Sequence, residues 1–395
     1  MREFKWRPRA ADCRSPWARE HSWPGLLLAV FLGCTRTPPG GLGGVGGGGI
    51  QGGAAGVIDN SGAGGAAPAA AGTATAPEAE TGSGDGGSEW QEGACRHPKV
   101  APACQNGYCR IPSGCFIIGS PATEWGRALN SETPTPITLT HPFEIAEHEL
   151  TQGEWTLAGF VNPSGAGANT ASCLDAKCPV GNVSVFDVAA YANYWSEHAS
   201  PPLPVCYRLD ACQGLPGSGM TCASLMLTTA TAYDCLGYRL PTGPEWEYAA
   251  KAGTRTAFYS GPITEHDLAT ADDCYAEPGL EAVAWYCKDA PRQPALSTSP
   301  VGGKGANPWG LYDMLGNAFE FTSTGPVRGH GYEGTAATNP GGTLGTLDGS
   351  TPGVAVRGGG ANSPPRDCRA ADGGLTATFT DRTPAFGFRL ARSLE

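Results

Sequence analysis

The sequence predicts a single α+β domain with little regular secondary structure and many disulfides. Three observations carry that reading. From residue 116 onward, short strand-like and helix-like apolar stretches alternate, set off by Gly, Pro and capping residues. That part of the chain, about 280 residues, is long enough for one large core. Fifteen cysteines without paired C-x-x-C spacing read as an exported, disulfide-bonded protein. The net charge of −11, with no basic stripe to offset it, excludes a nucleic-acid groove.

Residues 1–34 read as a targeting leader. Arg2, Lys5, Arg7, Arg9, Arg14 and Arg19 form a basic region, and Leu26 to Leu32 an apolar run too short to span a bilayer. The leader ends in Phe31-Leu32-Gly33-Cys34, which resembles a bacterial lipobox whose cysteine is lipidated after cleavage, with Phe31 where Leu is usual. The alternative is an ordinary secretory signal in which Cys34 is incidental. Residues 35–94 are Gly, Ala, Thr and Pro with few large apolar side chains. Such a segment cannot offset its chain entropy and reads as a flexible tether. The expected location is therefore the cell envelope through a lipid anchor, or, without lipidation, the secreted fraction.

A Cys-rich segment, residues 95–115, opens the folded part. Cys95, Cys104, Cys109 and Cys115 are spaced too loosely for a zinc knuckle and predict two local disulfides. Ile137 to Thr140 reads as a strand. Glu149 reads as a buried structural carboxylate. Thr151 with Glu154 makes a capping box for a helix that turns Trp155 and Phe160 toward the core. Cys173 and Cys178 bracket a short loop. A second helix follows over Val185–Trp195, with Val188, Tyr191, Ala192 and Trp195 on one face and Asp187 favourably near its start. Cys206, Cys212, Cys222 and Cys235 staple a Gly- and Pro-rich insertion, in one of three pairings. Thr242 and Glu245 form another capping box, with Pro244 in the first turn and Gly253 as the stop. Cys274 and Cys287 are expected to pair. Leaving out Cys13 and Cys34, an odd thirteen cysteines remain, so one thiol is free, and Cys368 is the candidate.

The chain is organised around Gly310-Leu311-Tyr312-Asp313-Met314-Leu315-Gly316-Asn317-Ala318-Phe319-Glu320-Phe321. The Gly-Asn pair permits left-handed backbone and inward carbonyls. Together with two carboxylates these are the hard oxygen donors that Ca2+ prefers. The stretch resembles the Gly-Leu-Tyr-Asp-Met-hydrophobic-Gly-Asn-Val-Trp-Glu-Trp signature of the formylglycine-generating enzyme, or sulfatase-modifying factor, family. Further blocks stand in the family's order: Phe116 to Ser120, Glu149 to Trp155, Pro179 to Ser184, Arg239 to Thr242, Glu245 to Ala250, Arg357 to Gly359 and Gly387 to Leu390. The resemblance covers residues 111–395 and implies a fold related to C-type lectins. It also implies a structural Ca2+ held by the Asp313 side chain, the Gly316 and Ala318 carbonyls and the Glu320 side chain. Phe319 and Phe321 stand where the family has Trp.

The resemblance further implies an oxidase site in which two cysteines, five residues apart after Gly-Gly-Ser, bind Cu(I) and convert a substrate cysteine to formylglycine. Aligning Arg357-Gly358-Gly359 puts Ser363 at the first of these positions and Cys368 at the second, with Gly360 at the serine. A hydroxyl is a poor ligand for a soft ion, so one thiolate is left where two are needed. Arg366 and Arg369 stand near enough in sequence to activate Cys368, although packing is the commoner role of such a thiol. The His cluster of the family's iron-dependent sulfoxide synthases has no counterpart among the seven scattered histidines. Two functions follow. The first is a membrane-tethered, calcium-stabilised binding or scaffold domain with a surface ligand or protein partner. The second is a copper oxidase acting on exported sulfatases through Cys368. The Gly- and Thr-rich loop 325–353, long for a compact domain, reads as a binding surface or as disorder, and is where a ligand is to be sought in the first case.

Overall fold

Three helices begin on the same local device. In α1 (Gln152–Leu157), α2 (Val185–His198) and α3 (Gly243–Lys251), a hydroxyl residue caps the N-terminus and a carboxylate three residues on returns the bond. The pairs are Thr151 with Glu154, Ser184 with Asp187 and Thr242 with Glu245. In α2, Asp187 thus acts through a reciprocal capping bond to Ser184 as well as through the helix dipole. Helix α3 ends at Lys251 with Ala252 as C-cap and Gly253 just past it, both at positive φ, which agrees with Gly253 as the stop. A fourth helix, α4, is a single turn over Pro278–Glu281.

The computed structural model describes residues 95–395 except 96, 128–131, 166–172, 267–273, 290–297, 325–333, 347–351 and 374. The leader, the tether and Cys34 lie outside the described residues, as does much of the loop 325–353. No described helix is long and apolar enough to cross a membrane.

The first strands are β1 (Cys104–Gln105), β2 (Tyr108–Ile111), β3 (Gly114–Ile118), β4 (Thr135–Leu139) and β5 (Phe143–Ala146). The stapled insertion supplies β6 (Tyr207–Asp210), β7 (Gln213–Leu215), β8 (Ser218–Thr221) and β9 (Ser224–Leu227). The central motif ends in β10 (Phe319–Phe321), followed by β11 (Ala337–Thr338), β12 (Gly345–Thr346) and β13 (Pro352–Arg357). The remaining strands are β14 (Leu375–Thr378), β15 (Phe386–Gly387) and β16 (Ala391–Ser393).

These strands make small sheets. One runs β1-β2-β5-β16, another β12-β13-β10-β15 with β14 also on β13, and a third β11-β4-β3. In the insertion β6 pairs with β9 and β7 with β8. Strand β16 closes the first sheet by pairing Ala391 with Ile145, and it bridges Arg239.

Six disulfides staple the described residues: 95–115, 104–109, 173–178, 206–235, 212–222 and 274–287. The insertion therefore takes a nested pairing among the three its cysteines allow. Among the described residues Cys368 is the free cysteine, and it is fully buried.

Two apolar clusters form the interior. One gathers Phe116, Ile118, Trp246, Leu311, Met314 and Leu315. The other gathers Trp155, Tyr191, Phe321, Phe388 and Leu390, with the Trp155 and Tyr191 rings stacked 5.3 Å apart. The central motif belongs to both, through Leu311, Met314 and Leu315 on one side and Phe321 on the other.

Candidate functional site

The central motif coils because four of its residues take positive φ: Gly310, Asp313, Gly316 and Asn317. At Gly316 no other residue fits, since a Cβ there would lie 2.1 Å from the Trp285 carbonyl oxygen. The coil is clamped from outside. Gly316 N–H donates to the Gly358 carbonyl and Asn317 N–H to that of Trp285. The Asn317 side chain accepts from Ser299 N–H at 2.8 Å and donates to Glu149 Oε2 at 3.2 Å. Ala318 N–H donates to Glu149 Oε1 at 3.0 Å.

Three carboxylates are thereby buried together with one guanidinium. Glu149, Asp313, Glu320 and Arg389 are each no more than 1% exposed. Arg389 Nε and Nη2 donate to the two Glu320 oxygens at 2.8 and 2.7 Å, and Trp246 Nε1 adds a bond to Oε2 at 2.8 Å. The rest of the guanidinium reaches the Ala146, Glu147, Tyr312 and Asp313 carbonyls. Glu320 is thus engaged by Arg389 and Trp246, while Glu149 and Asp313 receive one neutral donor per engaged oxygen. Asp313 Oδ2 accepts from Gly302 N–H at 2.6 Å, and Asp313 Oδ1 is buried without a partner. Burial raises the Glu149 pKa well above its ordinary range, and the charges of Asp313 and Glu320 raise it further. Burial also raises that of Asp313, against the pull of the Gly302 N–H and Arg389.

A partnerless buried carboxylate oxygen, two carboxylates beyond what Arg389 matches, and an all-oxygen donor set fit a divalent hard cation such as Ca2+. Glu149, read from sequence as structural, belongs to this group. Its signal was position only, since the residue lies 168 positions from Asn317. Among the described residues the one close trio of metal-ligating side chains is Cys104, Cys109 and Glu147, whose sulfurs are joined in a disulfide.

The segment from Arg357 to Asp372 is built differently. Arg357 leads in, paired with Glu247 at 3.0 Å. Ser363 Oγ accepts from Gly360 N–H at 3.0 Å, and Ser363 N–H donates to the Gly360 carbonyl at 2.9 Å, closing a turn on itself. Cys368 ends a one-turn helix over Pro365–Cys368 and packs on Gly359, where a Cβ would come within 2.8 Å of its Sγ. Burial, then the charges of Asp367 and Asp372, push the thiol pKa well up.

The two arginines near that thiol in sequence face carboxylates. Arg369 pairs with both Glu132 oxygens, at 2.6 and 2.7 Å, and with Glu124 at 2.9 Å. Arg366 lies 3.3 Å from Asp367. Of the two readings of Cys368, packing is the one these contacts agree with, because proximity along the chain says nothing about competing anions. A hydroxyl held by backbone and a protonated, buried thiol do not fit a Cu(I) site.

A disulfide-stapled α+β fold with a coiled carboxylate motif at its centre defines a class, the sulfatase-modifying-factor-like domains. The family model described as "Sulfatase-modifying factor enzyme 1-like domain" matches residues 96–394, and the chain belongs to that family. A formylglycine-generating enzyme of Mycobacterium tuberculosis is 30% identical over 236 residues, covering 54% of this chain and 72% of that protein. The "Chaperone protein LppX" of Paenibacillus barcinonensis is 29% identical over 194 residues. That match takes in 45% of this chain and spans only 61% of the relative's length. Among solved structures, Treponema denticola variable protein 1 superposes with a TM-score of 0.52 at 22% identity, over 72% of this chain and 95% of that one. PvdO from Pseudomonas aeruginosa does so with a TM-score of 0.50 at 22% identity, over 75% and 99%. These two likenesses establish the fold.

Proposed function

We propose that the chain is a non-catalytic member of its family: an exported, membrane-tethered, calcium-stabilised domain that binds or scaffolds a protein partner. The observation that carries this is the state of the two copper positions. Ser363 spends its hydroxyl on a backbone bond, and Cys368 is a buried thiol with a raised pKa. The chaperone name of one relative supports binding over chemistry. Ca2+ would be held by Asp313 with Glu149 and the Gly316 and Ala318 carbonyls, while Glu320 balances Arg389; the ion would supply the positive charge this interior lacks. Attachment through lipidated Cys34 completes the reading, and Cys34→Ser should release the protein from the membrane fraction.

The competing reading is a formylglycine-generating oxidase using Cys368, favoured by the 30% identity to a protein of that name. One experiment separates the two. Purified protein with its disulfides intact is incubated with Cu(I), oxygen, a mild reductant and a Cys-x-Pro-x-Arg peptide, beside a Ser363→Cys variant. The proposal expects no mass change in the peptide and copper retention only in the variant. Conversion by the unaltered protein would establish the oxidase.

A further inference from the structure

The Cys104–Cys109 disulfide differs from the other five in what stands beside it. Its two sulfurs and a carboxylate oxygen of Glu147 all lie within 4.8 Å of one another. Among the described residues no other disulfide has a third metal-ligating side chain so near. The Glu147 carboxylate is half-buried and has no hydrogen-bond or ion-pair partner among those residues.

Backbone, and not the S–S bond, brings these groups together. Asn106 and Gly107 take positive φ, which makes the tight turn that folds β1 back on β2 and sets Cys104 directly opposite Cys109. Strand β2 is held on its other edge by β5. Glu147 N–H donates to the Gly107 carbonyl at 2.9 Å, and the Glu147 carbonyl accepts from Tyr312 N–H at 2.8 Å. The disulfide spans a separation of 5 residues, against 29 for Cys206–Cys235, so opening it frees little chain entropy.

The reduced sulfurs would also have acceptors in place. The Trp309 carbonyl oxygen lies 3.4 Å from Cys104 Sγ, and the Gly310 carbonyl oxygen 3.7 Å from Cys109 Sγ. Cys104 is half-buried, so a reductant can reach its sulfur, while Cys109 is fully buried behind it.

We propose that Cys104, Cys109 and Glu147 form a redox-gated site for a thiophilic divalent cation such as Zn2+, shut while the sulfurs are bonded to each other and open when they are reduced. A dithiol reductant delivers two electrons and two protons: the S–S bond breaks, two thiols form, and the dithiol leaves as its own disulfide. The cation then displaces both thiol protons to solvent. It takes two thiolates and one carboxylate, a donor set that zinc accepts, with water in the fourth position. Exchange with a second disulfide reverses the step: the S–S bond re-forms, that disulfide takes up two protons and leaves as thiols, and the cation is expelled. The site uses no side chain assigned to calcium and neither copper position.

The test uses the full chain, excess Ca2+ to occupy hard-oxygen sites, and Zn2+ alone as the probe. Disulfides are opened stepwise with tris(2-carboxyethyl)phosphine, which gives the same two electrons and ends as the phosphine oxide. Alkylation and peptide mass identify each disulfide opened, and zinc is counted by competition with a chromophoric chelator. Opening Cys104–Cys109 should add one zinc equivalent, and zinc should protect both cysteines from alkylation. Opening Cys173–Cys178, which spans the same separation without a third ligand among the described residues, should add none. Glu147→Gln should weaken zinc binding roughly tenfold or more and leave the melting temperature of the oxidised protein unchanged. With Cd2+ in place of zinc, thiolate charge-transfer absorption should appear in the reduced parent and be lost in Cys104→Ser with Cys109→Ser. If that double variant fails to fold, Glu147→Gln alone decides. A pair that opens only as the protein unfolds, no added zinc on opening, or an affinity that Glu147→Gln leaves intact would overturn the assignment.

Discussion

The buried interior around Asp313 and the segment from Arg357 to Asp372 lie on one β-sheet frame, joined by the Glu320–Arg357 register of β10 and β13. They differ in how their polar groups are finished. Around Asp313 three carboxylates meet one guanidinium, and a carboxylate oxygen is left without a donor. Along the second segment Ser363 closes on Gly360, Cys368 packs on Gly359, and Arg369 is surrounded by carboxylates. The first region leaves a buried carboxylate oxygen without a donor; in the second the Ser363 hydroxyl and the Arg369 guanidinium are bonded, and the strain that remains is at Asp372, whose carboxyl pKa is raised by burial to about 7. If the proposed function holds, a family fold can retain the place for a structural ion after the place for chemistry has been filled by ordinary packing and hydrogen bonds.

The largest test of that contrast is Arg389→Ala. It strips Glu320 of its cation in the interior and should cost about 3–5 kcal/mol in urea unfolding, the usual penalty for breaking a buried pair. A loss below about 1 kcal/mol would mean the interior is wetter than its burial implies. Calcium comes next. At a hundredfold excess over its dissociation constant, binding to the folded state alone should add about 2.7 kcal/mol, and chelator should remove it. Asp313→Asn should abolish that response. In chelator the same variant should be at least as stable as the parent, because it deletes an unmatched charge; equal calcium responses in the two proteins would refute the assignment.

The pH dependence follows with its sign fixed by the same groups. The Asp313 and Glu149 pKa values are raised in the folded state. The folded protein therefore holds protons that the unfolded chain has released, and stability falls as pH rises from the unfolded values through the folded ones. In chelator the melting temperature should climb on acidification from neutral pH toward pH 5. Each extra proton held by the folded state contributes about 1.4 kcal/mol for every step of one in pH across that window. Saturating calcium should reduce that climb by the share due to Asp313 and Glu149, because the ion competes with their protons; Asp372, raised by burial to about 7, adds a climb of its own that calcium leaves unchanged. The smallest effects belong to the finished region. Ser363→Ala removes one hydrogen bond to Gly360 and should cost about 0.5–1.5 kcal/mol. Cys368 should resist iodoacetamide until denaturant is added; rapid alkylation of the native protein would reopen the question of its reactivity.

Much of this was legible in the residues, and the limits are instructive. Local chemistry read well: Thr151 with Glu154, Thr242 with Glu245 and the short disulfide loops all rest on neighbours in sequence. The cap at Ser184 was overlooked although Asp187 three residues on completes the same pattern. What sequence could not supply was who meets whom at distance. Arg389 reaches Glu320 across 69 positions, and Arg369 reaches Glu132 across 237. Those contacts decided that Glu320 is ion-paired and that Arg369 does not serve Cys368. The nested pairing in the insertion likewise follows from the β6–β9 ladder, which sets Cys212 beside Cys222 just beyond its Asp210–Ser224 end and leaves Cys206 for Cys235.

Arg389 and β16 come after every residue they complete, and this sets an order of events during synthesis. Until that stretch leaves the ribosome, Glu149, Asp313 and Glu320 have no guanidinium to meet, and β5 lacks one of its two strand neighbours. A chain stopped short of Arg389 is therefore not a smaller domain. It is a polypeptide in which the Glu149, Asp313 and Glu320 carboxylates have no guanidinium to meet in the interior.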